Sequence, residues 1–280
     1  MTFTEKLQHA VSSAQSTLCV GLDPNLEFIP APVKNQFQTP EEQIAFFCKM
    51  VIDYTQEHAA AFKINVAFFE ALGALGFVVL HDVIDHIPND KIVIVDAKRG
   101  DISSTADQYK KAFFGELDAD AITINPLMGF ETLDAYLEDA SKGIYVLTLT
   151  SNPGSSDFLK RPFEGFDTMG QFIAHALEER SFTSPAHLGM VIGATAEPNE
   201  AIKVIQNHTN GSLLIPGVGA QGGSVEDLTI ALENHKGIPL INSSRGIIFA
   251  GGNEYDWLIH VEKKAKSTKE ALYQITEMYA

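Results

Sequence analysis

Asp96, Lys98 and Asp101 form an Asp-x-Lys-x-x-Asp pattern directly after the apolar run Ile92-Val93-Ile94-Val95, and Thr105 follows four residues later. A carboxylate beside an ammonium at the end of a strand is a pre-set ion pair, the kind of fixed charge array on which electrostatic catalysis depends. The β-branched run predicts a buried strand. Side chains alternate in a strand, so Asp96 and Lys98 are expected on one face and Ala97 on the other. Gly100 is expected to let the chain turn, and Asp101 stands where a helix beginning near Ile102 would take an acid. The bland alternative is a surface salt bridge followed by a helix cap, but charges directly after a fully apolar strand fit the cleft of an α/β fold better.

Such residues need a frame. Strand-like runs fall at 18–22, 60–65, 92–95, 121–125, 143–149, 188–193, 212–216 and 239–242. Helical patterns are predicted at 4–16, 41–57, 67–86, 105–117, 131–139, 168–180, 197–207 and 225–233, with a charged amphipathic helix closing the chain through 278. One strand-plus-helix unit per roughly 30 residues, repeated eight times, predicts an α/β fold of the (β/α)8 TIM-barrel type. With no composition break, the expectation is one catalytic domain over residues 1–280. A doubly wound sheet is the alternative, and it places functional residues after most strands less well.

In such a barrel the carboxyl-terminal strand ends converge on one mouth. The polar residues there are Asp23, Lys63, Asp96, Lys98, Asp101, Ser151, Gln221 and Arg245. Strands seven and eight supply glycines and an arginine, the pair of loops where this fold commonly holds phosphate. Gly217-Val218-Gly219-Ala220-Gln221-Gly222 matches a dinucleotide fingerprint, but it follows the seventh strand and no acid ends the eighth, so a phosphate cradle is the better reading. The Gly-, Ser- and Pro-containing segment 150–165 is the longest loop after any strand and suggests a lid.

Bulk properties exclude other classes. The 280 residues are 45% hydrophobic and 20% charged, which leaves ample core material. A net charge of −16 leaves no basic stripe for nucleic acid. No apolar run reaches the length of a membrane span, and the first 20 residues lack the pattern of a secretion signal. Cys19 and Cys48 are expected to be buried and unpaired, a cytoplasmic profile. The nine histidines show no ligand spacing, so no metal site is expected.

The run Asp96-Ala-Lys-Arg-Gly-Asp-Ile-Ser-Ser-Thr-Ala106 resembles the signature of the orotidine 5′-phosphate decarboxylases, in the form found in the longer bacterial (type 2) subgroup. The likeness spans the whole barrel. It implies that Lys98 is the proton donor within a catalytic array of Asp96, Lys98 and Asp101, with Lys63 also counted among the catalytic residues. It implies also that Asp23 in Val-Gly-Leu-Asp-Pro and Lys63 in Phe-Lys-Ile-Asn contact ribose, that Ser151 contacts the pyrimidine, and that Gln221 and Arg245 grip phosphate. Asp101 and Thr105 would be lent to the neighbouring subunit's site in a homodimer. Ser103 and Ser104 depart from the residues often found between the matched positions.

The implied reaction takes orotidine 5′-monophosphate to UMP without a cofactor. The carbanion left at C6 has no ring π-system to delocalise it, so stabilisation must be electrostatic, with Lys98 supplying charge and then the proton. Three other readings stay open on the residues alone: a related barrel enzyme that acts on a keto-sugar phosphate with Mg²⁺, a Schiff-base aldolase using Lys63 or Lys98, and a non-enzymatic phosphate-binding module.

Overall fold

A computed structural model describes residues 1–194, 198–217 and 224–280 of the chain. Its parallel strands are β1 (Leu18–Leu22), β2 (Ala61–Asn65), β3 (Ile92–Arg99), β4 (Ala121–Ile124), β5 (Gly143–Leu149), β6 (His187–Ile192), β7 (Leu213–Pro216) and β8 (Pro239–Ser243). They close in sequence order, with β1 pairing to β8 through Leu18 opposite Ile241 and Cys19 opposite Asn242. The expected TIM barrel is present. Strands such as β1, β4 and the first six residues of β3 are buried throughout, because one face fills the barrel and the other lies under helices.

The helices between the strands depart from a simple periodic reading in informative places. The continuous helix expected over 67–86 is instead Val66–Glu70, a 3₁₀ turn at Gly73–Leu75 and Gly76–Ile84. Gly73 sits at φ +71°, a left-handed conformation that ends the first piece. The helix after β3 begins at Ser103 and passes into a π-helical turn over Lys111–Glu116. The segment after β4 is 3₁₀ (Phe130–Tyr136), not α-helical, and a short helix, Ala31–Gln36, lies between β1 and the helix Pro40–Thr55.

The amino-terminal end of the barrel is plugged. The helix Phe3–Ala14 starts with a capping box made by Thr2 and Glu5. Phe3 is fully buried, stacks on His187 at 5.4 Å between centroids and meets Tyr145 edge-on at 6.3 Å. No helix among the described residues is long and apolar enough to cross a membrane.

Candidate active site

At the opposite end, four strands deliver a compact polar cluster into an apolar wall. β2 carries Lys63, which is 4% exposed, and β3 carries Asp96, which is 9% exposed. Lys63 Nζ donates to Asp96 Oδ2 at 2.9 Å and lies 3.8 Å from Asp23 Oδ1, just past the end of β1. Lys98 Nζ donates to the other oxygen, Asp96 Oδ1, at 2.6 Å. Asp96 is therefore a carboxylate between two ammonium groups. Burial alone would raise its pKa, but the charges of Lys63 and Lys98 hold it well below the ordinary carboxylate value. For Lys63 burial would lower the pKa, and the carboxylates of Asp96 and Asp23 more than reverse that, holding the amine charged.

Asp96 and Lys98 meet, though not by the alternation of a regular strand. β3 pairs with β4 through Val95 opposite Ile122 and then Arg99 opposite Ile124, so a bulge separates these pairs. Lys98 sits inside it at φ +48°, uncommon for a residue with a Cβ. Its side chain stays half-exposed while that of Arg99 turns away, pairing with Glu70 and lying over the rings of Tyr109 and Phe113. Gly100 follows because a Cβ there would stand 2.2 Å from the Asn125 carbonyl oxygen.

A cavity of about 700 Å³ opens above the cluster, lined by Lys63, Asp96, Lys98, Thr123, Ser151 and Pro216 among others. It shares Lys98, Leu147, Thr150 and Asn152 with an adjoining apolar cavity of about 1030 Å³, walled by Phe130, Phe158, Phe163 and Phe172. The segment expected as a lid lies along these cavities and has structure of its own: a 3₁₀ turn over Pro153–Asp157 and a bridge between Phe163 and Phe166. Arg245 is exposed at the start of a one-turn helix after β8. Gln221 lies outside the described residues, as does most of the glycine-rich segment, of which Gly217 is seen at φ +100°.

Among the described residues the ion pair of Lys98 is with Asp96, and none joins it to Asp101. Asp101 lies two residues before the helix, where its Oδ1 accepts the Ile102 N–H at 2.8 Å, and Thr105 is exposed. The helix cap is Ile102, which has no capping side chain, so Asp101 is not the cap that the sequence suggested, and the two residues do not share a helix face by i,i+4 spacing. Thr123, by contrast, was missed. A single polar residue in Ala121-Ile-Thr-Ile124 was the available signal, two positions before the strand end expected at Asn125. The grouping of metal-ligating side chains found among the described residues, Glu254, Asp256 and His260, is largely exposed and lines neither cavity.

A closed parallel barrel whose strand ends bring a Lys-Asp-Lys array beneath a cavity has the form of a TIM-barrel enzyme's active site. Comparison with known proteins narrows the class: residues 16–257 match the model of the orotidine 5′-phosphate decarboxylase / HUMPS family, and the chain belongs to that family. It is 40% identical over 278 residues to the orotidine 5′-phosphate decarboxylase of Cupriavidus metallidurans, covering 97% of this chain and 98% of that one. The enzyme of the same name from Herpetosiphon aurantiacus is 38% identical over 250 residues, or 89% and 90% of the two chains. Among solved structures, Leishmania donovani OMP decarboxylase superposes with a TM-score of 0.82 at 32% identity, covering 99% of this chain and all of that one.

Proposed function

We propose that this chain decarboxylates orotidine 5′-monophosphate to UMP in pyrimidine biosynthesis, as one catalytic barrel domain over residues 1–280. The observation that carries the mechanism is the Lys63–Asp96–Lys98 array under the 700 Å³ cavity. Lys98 is its half-exposed member, and its ammonium faces the cavity while Asp96 anchors it from below. When CO₂ leaves C6 of the bound pyrimidine, negative charge develops where this ammonium stabilises it most, and the same group then delivers the proton. Lys63 occupies the second oxygen of Asp96 and so leaves the first to Lys98. No cofactor is part of this proposal, because the array itself supplies the stabilising charge.

The remaining roles follow the family likeness. Asp23 and Lys63 hold ribose, Ser151 contacts the pyrimidine, and Gln221 with Arg245 grips the phosphate. Asp101 and Thr105 complete the site of a neighbouring copy in a homodimer. This last point is supported by the lack of an Asp101–Lys98 ion pair among the described residues and by the exposed apolar side chains Ile102, Leu127 and Met128. The longer bacterial subgroup and a cytoplasmic location belong to the same proposal. The first rests on the Arg-Gly within the motif, the second on two free, buried cysteines, Cys19 and Cys48.

Purified protein mixed with orotidine 5′-monophosphate should deplete its absorbance, equally with and without EDTA. Turnover abolished by EDTA would show that a metal takes part and overturn the cofactor-free mechanism, and no turnover on folded protein would overturn the proposal.

A further inference from the structure

We propose that Thr123 is a positioning residue for the decarboxylation, holding both Asp96 and the Lys98 backbone in the geometry that aims the Lys98 ammonium into the cavity. The inference rests on Lys98 being the proton donor. Thr123 stands on β4 between Ile122 and Ile124, which pair with Val95 and Arg99 across the bulge, so three residues of β3 (Asp96, Ala97 and Lys98) face this one residue of β4. A bulge leaves a backbone group without its ladder partner, and a buried N–H must find another acceptor. Here the Lys98 N–H donates to Thr123 Oγ1 at 2.9 Å.

A hydroxyl has a single proton to give. With its oxygen occupied as acceptor, Thr123 Oγ1 donates to Asp96 Oδ1 at 2.9 Å, the same oxygen that receives Lys98 Nζ at 2.6 Å. One 1%-exposed side chain thus touches both ends of the catalytic pair, the carboxylate of one residue and the left-handed backbone of the other. With Lys63 on Oδ2, Asp96 has donors on both oxygens and cannot swing about its side-chain torsion without losing one of them. Valine has nearly the shape of threonine and carries neither donor nor acceptor. Substituting it would leave the net charge and the cavity almost unchanged while releasing both constraints. That separates positioning from charge and from steric fit, which matters because a displacement of about 1 Å at a reacting centre can cost on the order of a hundredfold in rate.

The test compares wild type with Thr123→Val and Thr123→Ser by steady-state decarboxylation, by UMP titration and by circular dichroism. Folded Thr123→Val is expected to lose kcat by ~30-fold or more with its UMP Kd within ~threefold of wild type, whereas Thr123→Ser, which keeps the hydroxyl, retains kcat within ~threefold. A folded valine variant with kcat within ~threefold of wild type overturns the inference, as does a serine variant that falls as far as the valine one, or a loss that appears in UMP affinity instead of kcat. Should the valine variant not fold, Thr123→Ala is set against Thr123→Ser on the same scale. Lys98→Ala is run beside them. If that variant stays active, the reading of the donor fails; if it is dead and Thr123→Val is normal, only the positioning role of Thr123 fails.

Discussion

The two ends of this barrel carry polar clusters of similar size and opposite character. At the mouth, charges are concentrated: Lys63, Asp96 and Lys98 within hydrogen-bonding distance, opening on a cavity, with Lys98 half-exposed. At the plugged end histidines and hydroxyls bond to one another or to the backbone, and the charges there are spent in the ion pairs Lys6–Asp120 and Lys142–Asp118. His187 Nε2 accepts the Ser212 N–H at 3.0 Å and lies 2.8 Å from Ser212 Oγ, which is 3.1 Å from the Tyr145 hydroxyl, while Nδ1 stands 3.1 Å from Thr4 Oγ1. Buried His208 sets one ring nitrogen 2.8 Å from the Leu188 carbonyl and the other 2.6 Å from Glu178, while His235 Nε2 donates to the Gly211 carbonyl. A cluster closed on itself ties elements together. A cluster with an unspent charge facing a cavity is kept for a ligand, because burying charge is costly and fixed charge preorganises a site.

Removing the Lys98 ammonium is the strongest way to test the contrast. Lys98→Ala should lower kcat by at least ~10³-fold while the melting temperature and UMP binding stay near wild type, since Asp96 keeps Lys63 and Thr123 as partners. A folded variant within about tenfold of wild type, only ~1.4 kcal/mol in the barrier, would show that the mouth has no catalytic privilege over the other end.

The second test asks whether the mouth is completed from outside. Asp101→Asn and Lys98→Ala variants, each inactive alone, should regain up to about a quarter of wild-type activity when mixed at equal amounts, because half of randomly paired dimers are hybrids and one of their two sites is intact. No recovery after confirmed subunit exchange would show the mouth to be as self-contained as the plugged end.

Acid stability gives the smallest effect and separates the ends by pH. Burial, and secondarily the charge of His208, pushes His187 down from 6.5 to about 4, and burial does the same to His235. Between about 6.5 and about 4 the unfolded chain binds protons that these rings refuse when folded, so stability is full above that window and falls as pH drops through it. Asp96, depressed by its lysines, contributes stability that is lost only below its ordinary value of 3.8. Acidification from pH 7 to 4.5 should therefore lower stability by on the order of 2 kcal/mol for each of these two rings, roughly 5 °C apiece in melting temperature. A melting temperature flat across this range would remove the assignment of those histidines as buried neutral groups.

The chemistry of the mouth was readable in one dimension because its residues end strands, and strand ends are marked by apolar runs that stop at Pro, Gly or charge. Asp23 before Pro24, Lys63 before Asn65 and Asp96 after four β-branched residues all fall where local pattern placed them. The barrel followed from eight repeats of one such pattern. What the pattern missed depends on neighbours distant in sequence. Period-two alternation brought Asp96 and Lys98 together on paper, but the actual pairing runs through a bulge that exists only against β4, and Thr123 acquires its place only when that strand lies alongside. The break at Gly73 and the 3₁₀ segment after β4 likewise depend on how each segment packs against the barrel. His187, His208 and His235, scattered along the chain, become one cluster because parallel strands in register bring their amino-terminal ends to a common level. Local propensity and periodicity act over a few residues and were sufficient for strand ends, whereas bulges, cross-strand hydrogen bonds and clustered rings are set by closure of the barrel, which no local stretch of sequence encodes alone.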